Sequence, residues 1–256
     1  MQIKFIGTGS GKTSLKRFHS SLLITSGNYN LLFDCGDGTA RAMLSSEIPF
    51  NSVDAILISH LHPDHYSGLV SLIVQMKMNN RKNPLQIFIN EASGEFIKSF
   101  LLNSYLLPER MEFELKIELF KLESEQTIND QMSFFSLLNS HLQKYREYKS
   151  AEKISLNSSS FIFNLENKSI YISGDIGSSD DLSILKNRKL DLMILESTHL
   201  RLNEIINLSE NFPDADIYLT HIDDDDENDL FQFLIGLNAK LRNRIMLAAD
   251  GETVII

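Results

Sequence analysis

Short apolar runs alternate with polar, glycine-marked breaks along the whole chain. Near the start, Gln2–Ile6, Ser20–Thr25 and Asn30–Asp34 have the length and content of strands. Gly7, Gly9 and Gly11 mark the turn after the first. Thr39–Leu44 reads as a short helix with Thr39 as its N-cap. Ala55–Ser59 is uniformly apolar until its last residue, as a buried strand is. Gly68–Met78 sets Leu69, Leu72, Ile73 and Met76 at helical spacing. Leu85–Ile89 is a strand, and Gly94–Leu107 a helix with Phe96, Ile97, Phe100 and Leu101 on one face. Phe113–Leu119 and Met132–Asn139 are further strands. Phe161–Leu165 and Ser169–Ser173 flank Glu166-Asn167-Lys168, a polar turn typical of a hairpin. The rest reads as helix Asp180–Lys186, strand Leu190–Leu195, helix Leu202–Asn211, strand Asp216–Thr220, helix Leu230–Leu241, and strands Ile245–Ala249 and Thr253–Ile256. Two sheets with helices outside suit this order better than one doubly wound sheet. With no linker and no fixed-period repeat, one domain over residues 1–256 is expected.

Composition narrows the class. The chain has 256 residues, 43% hydrophobic and 23% charged, which is ordinary for a soluble globular protein. No apolar run approaches the length of about 18 residues that spans a bilayer. The start, Met1-Gln2-Ile3-Lys4-Phe5, lacks the features of a signal peptide. Cys35 is the only cysteine, so an intrachain disulfide and a cysteine-based zinc site are excluded. A cytoplasmic protein with no membrane partner is expected. Lys plus Arg total 24 against 34 Asp plus Glu, a net charge of −10. That balance opposes binding of long nucleic acid but leaves room for a small anion, because a metal ion supplies local positive charge.

Candidate chemistry concentrates in Ser59-His60-Leu61-His62-Pro63-Asp64-His65. Three imidazoles and a carboxylate on one strand-to-helix turn can converge on a point. Such groups hold zinc, iron or manganese, and their identity alone does not choose among the three. His141, Asp175 and His221 each follow a predicted strand, where a rigid scaffold presents ligands. Asp34 is either a turn former beside Gly36 and Gly38 or a carboxylate that orients the histidine loop. Cys35 reads as a small buried side chain. Lys16, Arg17 and His19 are either substrate contacts or solvated loop residues. Asp223-Asp224-Asp225-Asp226 reads as a solvated loop. Gly11-Lys12-Thr13 imitates a phosphate loop, but Ile6 stands where the first glycine is required.

The chain resembles the metallo-β-lactamase superfamily, whose mark His-x-His-x-Asp-His stands here as His60 to His65. The other marks follow in order: Asp34 after an early strand, His141, Asp175 in Ser173-Gly174-Asp175, and His221. The resemblance implies a four-layer αββα sandwich of the α/β (α+β) class. It implies two divalent metal ions, Zn or Mn with Fe a further candidate. His60, His62 and His141 would hold one, Asp64, His65 and His221 the other, and Asp175 would bridge. Two cations about 4 Å apart share a hydroxide at neutral pH.

Phe5-Ile6-Gly7-Thr8-Gly9-Ser10-Gly11 and Leu195-Glu196-Ser197-Thr198 resemble the phosphodiesterase branch. That branch holds ribonuclease Z, phosphonate-pathway cyclic phosphodiesterases and phage anti-Pycsar cyclic-nucleotide phosphodiesterases. The resemblance implies hydrolysis of a small phosphodiester, 3′,5′-cyclic nucleotides foremost, by attack of a metal-bridging hydroxide. Asp64, Glu196 and His199 are the expected catalytic residues. His199 either stands in for the proton-donating histidine of the ribonuclease Z motif or is an ordinary loop histidine. The alternatives are ribonuclease Z-like RNA processing and hydrolysis of a lactone or thioester. His141 and Asp175 stand only 34 positions apart, with no Gly/Pro-rich basic arm between them, which speaks against tRNA processing. The resemblance also implies a homodimer, with Gly68–Met78 as either its contact or a core-facing helix.

Overall fold

The computed structural model describes residues 1–256 as two compact units, Met1–Lys121 with Asp250–Ile255, and Leu122–Ala249 with Ile256. Each unit owns one seven-stranded mixed sheet.

In the first unit the strands are β1 (Gln2–Gly7), β2 (Ser21–Ser26), β3 (Tyr29–Phe33), β4 (Ala55–Leu57), β5 (Leu85–Asn90) and β6 (Leu115–Phe120). They lie in chain order, with Thr253–Ile255 added beside β1. β1 to β3 form an antiparallel meander, and β3 to β6 run parallel. Parallel pairing requires crossovers. The crossovers carry the helices α1 (Thr39–Ser45), α2 (Pro63–Tyr66), α3 (Leu69–Met78) and α4 (Gly94–Asn103). α3 buries Leu69, Leu72, Ile73 and Met76 against this unit's own core, so that apolar stripe is core-facing.

The second unit orders its strands β13-β12-β11-β10-β9-β8-β7. They are β7 (Glu125–Asn129), β8 (Met132–Asn139), β9 (Ser158–Leu165), β10 (Lys168–Ile172), β11 (Leu192–Glu196), β12 (Asp216–Thr220) and β13 (Ile245–Leu247). β7 to β10 are antiparallel and β10 to β13 parallel. α5 (Leu202–Asn211), α6 (Glu227–Gly236) and α7 (Ala239–Arg242) complete it. No helix is long and apolar enough to cross a membrane.

Several expected boundaries move, each for a local reason. Thr39 is not the N-cap of α1. Gly38 takes that place at φ 80, while the Thr39 hydroxyl donates to Gly36 O at 2.8 Å. The helix from Gly94 stops at Asn103, because Tyr105 turns left-handed at φ 61 and Pro108 follows. Ser179–Leu185 winds as a 3-10 helix. The last long helix breaks after Gly236: Leu237 is extended, and the Asn238 side chain caps α7 by accepting from Leu241 N–H at 3.1 Å. The aspartate run leads into α6, with Asp226 at its N-cap and Glu227 and Asp229 in its first turn, where the helix dipole favours negative charge. β7 adds an edge strand that the sequence pattern does not predict, because its polar residues carry little apolar signal.

Arg81 anchors the starts of β4 and β5. It is 2% exposed and donates to Val53 O at 2.7 Å, Asn83 O at 2.8 Å and Pro84 O at 2.7 Å. Its guanidinium also lies over the Phe113 ring at 5.5 Å. Arg81→Ala leaves these carbonyls without donors, so urea denaturation is expected to show a loss of about 3 kcal/mol. Arg81→Lys recovers only part, because one ammonium cannot reproduce the planar fork.

Candidate metal centre

In the first unit β4 delivers Ser59 and His60, and Pro63 starts α2 with Asp64 and His65 inside it. His60 and His65 are 1% exposed and Asp64 7%, while His62 is half-buried. The rings gather closely, with centroids 4.1 Å apart for His60–His65 and 4.8 Å for His60–His62. Asp64 Oδ2 lies 3.3 Å from His65 Nε2.

Asp34 organises this group. It sits at φ 58 just past β3, with its N–H on Leu57 O at 2.8 Å. Its Oδ1 accepts the Ser59 N–H at 2.8 Å, and its Oδ2 accepts the Ser59 hydroxyl at 2.9 Å and His65 Nδ1 at 2.7 Å. With the Ser59 hydrogen spent on Asp34, Ser59 Oγ accepts from His60 Nδ1 at 3.0 Å. The chain of bonds therefore places hydrogens on both Nδ1 atoms and makes Nε2 the lone-pair nitrogen of both rings. Asp34 is both readings at once, a left-handed turn residue and the carboxylate that orients the loop. Burial pushes its carboxyl up from the ordinary range, while His65 and the two Ser59 donors pull it back. The approach is tight: a Cβ on Gly36 would meet Asp64 O at 2.1 Å.

In the second unit three strand ends present the remaining donors. His141 follows β8, Asp175 follows β10 and His221 follows β12, and all three are buried. Asp175 is their common point, with His141 Nε2 3.6 Å from Oδ2 and His221 Nε2 3.4 Å from Oδ1. Gly174 at φ 53 and His221 at φ 56 turn the chain sharply at these strand ends. The left-handed backbone at His221 costs about 1 kcal/mol or more.

Glu196, at the end of β11 and 1% exposed, organises this group. Its Oε2 accepts the N–H groups of Thr198 at 2.7 Å and His199 at 3.0 Å, and the Thr198 hydroxyl at 2.8 Å. Its Oε1 lies 3.0 Å from His199 Nδ1. Thr198 Oγ1 is 3.3 Å from His221 Nδ1, and the His199 ring meets the His141 ring edge-on at 5.0 Å. The bond to Glu196 raises the His199 pKa, against the opposing effect of partial burial.

Imidazoles turned by their Nδ1 partners and a carboxylate with an imidazole at each oxygen are the donor chemistry of a Zn, Mn or Fe site, so the residues fit the implied ions. The other candidates play lesser parts. Arg17 donates to the Thr8 hydroxyl, whose own hydrogen goes to Asp250, and so braces the glycine-rich loop. Lys16 is exposed and His19 half-buried. Burial pushes the Cys35 thiol up to about 12, which suits an inert core residue. Ser59, Thr198 and Ser173, which accepts the Glu196 N–H at 2.9 Å, lie within the sequence motifs, which do not single them out as organising residues. Their adjacency to the histidine and Glu-Ser-Thr motifs was the available signal.

Asp34→Asn replaces an acceptor-only group by one that carries N–H donors, which disturbs the hydrogen placement on both rings. Chelator competition is expected to show divalent-ion affinity lowered about 10–100-fold.

Comparison with known proteins follows the same lines. The short form of human tRNase Z aligns over 100% of this chain and 99% of its own at 20% identity and a TM-score of 0.75. A diphosphatase of the PhnP family reaches 0.72 at 17% identity, over 100% of this chain and 97% of its own. The metallo-β-lactamase fold protein YhfI of Bacillus subtilis aligns over 99% of this chain and 98% of its own at 18% identity and a TM-score of 0.74, and with it these likenesses show that fold. Ribonuclease Z of Pyrococcus furiosus is 38% identical over 108 residues, 42% of this chain and 35% of that protein. Ribonuclease Z of Saccharolobus islandicus is 34% identical over 131 residues, 51% of this chain and 42% of that protein. The chain thus matches less than half the length of these relatives. The profile of the anti-Pycsar protein Apyc1 family matches residues 1–245, and the chain belongs to that family.

Proposed function

We propose that the two units act as one domain over residues 1–256 and hydrolyse small anionic phosphodiesters, 3′,5′-cyclic nucleotides foremost, with two divalent ions. The observation that carries this reading is the donor set each unit gathers: His60, His62, Asp64 and His65 on one loop of the first, and His141 and His221 at the two oxygens of Asp175 in the second. His60, His62 and His141 would hold one ion and Asp64, His65 and His221 the other, with Asp175 as a donor to both. Membership of the Apyc1 family supports the substrate class. Yeast PDE1, at 16% identity and a TM-score of 0.72, supports the fold alone.

When bound, the ions activate water at neutral pH and stabilise charge on the entering and leaving oxygens. The protein supplies the rest. Asp64 holds its ion and orients the attacking water. Glu196 fixes the His199 ring through Nδ1, and His199 delivers a proton from Nε2 to the leaving oxygen. Thr198 keeps His221 in its tautomer. The same reading has the enzyme as a cytoplasmic homodimer, for which light scattering would give twice 29.2 kDa.

A second reading, ribonuclease Z-like RNA processing, is favoured by the identity to the archaeal ribonucleases. Against it stand the net charge of −10 and the short interval from His141 to Asp175.

The deciding experiment loads the protein separately with Mn and Zn and offers 3′,5′-cyclic nucleotides, a precursor tRNA and a neutral thioester. Cyclic-nucleotide turnover is expected, abolished in Asp64→Ala. His199→Gln should lower kcat about 100-fold or more with little change in KM. Cleavage of the tRNA alone would replace this reading by the second, and silence on every cyclic nucleotide from loaded, folded protein would end it.

A further inference from the structure

We propose that Asp181 is a positioning residue that sets His141 against Asp175. The inference rests on the metal reading above, because it concerns two of its donors.

Asp181 stands on the 3-10 turn Ser179–Leu185, outside every motif in the chain. Its carboxylate grips two loops at once. Both oxygens accept the Ser140 N–H at 3.1 Å, and Oδ2 also accepts the Ser140 hydroxyl at 2.9 Å. The same Oδ2 accepts the Gly177 N–H at 2.8 Å. Ser140 is the residue before His141, and Gly177 lies two beyond Asp175. One side chain therefore fastens the loop of one donor to the loop of the other.

The loops are also pressed together at that point. A Cβ on Gly177 would come within 2.2 Å of Ser140 Oγ and 2.8 Å of the Ser140 carbonyl carbon. Only glycine allows the approach that Asp181 holds. The partners of Asp181 are all donors, so a carboxylate, which only accepts, is the matched group. An asparagine would turn an N–H toward one of them.

Further bonds fix the residues around the donors. Asn139 Oδ1 accepts the His141 N–H at 3.2 Å, and the Ser158 hydroxyl donates to Asp175 O at 3.3 Å. Neither of these joins the two loops directly, whereas Asp181 does. The separation it controls is the 3.6 Å between His141 Nε2 and Asp175 Oδ2. Donors of one metal site must hold their places to within about 0.5 Å, so slackening this clamp acts on ion binding before it acts on the fold.

The test uses the full chain as wild type, Asp181→Asn, Gly177→Ala, Ser140→Ala and the Ser140→Ala/Asp181→Asn double variant. Zn and Mn affinities are read by competition with a fluorescent chelator, and urea midpoints are read on the metal-free proteins. Affinity is expected to fall about 10–100-fold in Asp181→Asn and to fall in Gly177→Ala. The Ser140 and Asp181 losses should be less than additive, since they break one interaction. A purely structural anchor would lower the urea midpoint and leave the affinity of the folded protein alone. Affinities within about twofold of wild type overturn the role of Asp181. Should Gly177→Ala fail to fold, Asp181→Asn and the double-variant cycle decide. A wild type that takes up neither ion overturns the metal reading itself, and this proposal with it.

Discussion

Everything at the histidine loop depends on one buried carboxylate. Asp34 accepts three donors in a place where burial alone would favour its neutral form. Through Ser59 and His65 it sets the hydrogens on two imidazoles, His60 and His65. A histidine loop without that acceptor would hold the same residues at the same spacing. Its rings would be at liberty to present N–H where a lone pair is required, and proximity alone would not make it a ligand set. The fold serves this bond directly. β3 and β4 run parallel and side by side, so the residues just past their ends, Asp34 and Ser59, lie within reach of each other.

The second unit solves the same problem with different parts. Its donors come from three separate strand ends rather than one motif, so no single carboxylate can orient them all. Glu196 gathers Thr198 and His199, Thr198 reaches His221, and Asp181 joins the loops of His141 and Asp175. Gly174 takes its sharp turn freely, but the left-handed backbone at His221 adds strain, which persists only where surrounding bonds over-determine the conformation. Those bonds are present: Ser197 donates to His221 O at 3.4 Å, and Ser160 donates to Ser173 O at 2.6 Å.

What was legible in the sequence follows from where the signal is local. Met132–Asn139, Leu202–Asn211 and Asp216–Thr220 appear with the expected bounds, since their apolar period matches the side they bury. The candidate donors were legible because the histidine motif is local and the others stand beside strand ends. β7 was not, because its polar residues carry an edge strand on backbone pairing alone. The break after Gly236 was hidden by a run of apolar residues that reads straight through it. Asp181 was illegible for a deeper reason. An aspartate in Ser179-Asp180-Asp181 looks like any helix start, and its role exists only once β8 and β10 have brought Ser140 and Gly177 together.

In the proposed reading, the net charge of −10 and an anionic substrate are reconciled by the same division of labour. Acidic residues outnumber basic ones in the sequence, yet the candidate donors are mostly imidazoles. Under that reading two carboxylates, Asp64 and Asp175, would cancel only part of the charge of two dications. Asp34, Glu196 and Asp181 stand one step back, and each is already saturated by N–H or O–H donors. Their negative charge is spent on orienting groups rather than on the reacting centre. The surplus positive charge would then be confined to the ions, where a small phosphodiester would meet it at short range. A long polyanion would also have to meet the acidic surface, whose repulsion acts over a Debye length of about 8 Å. Under the proposed function, site chemistry and surface charge would thus select in the same direction, toward a small ester.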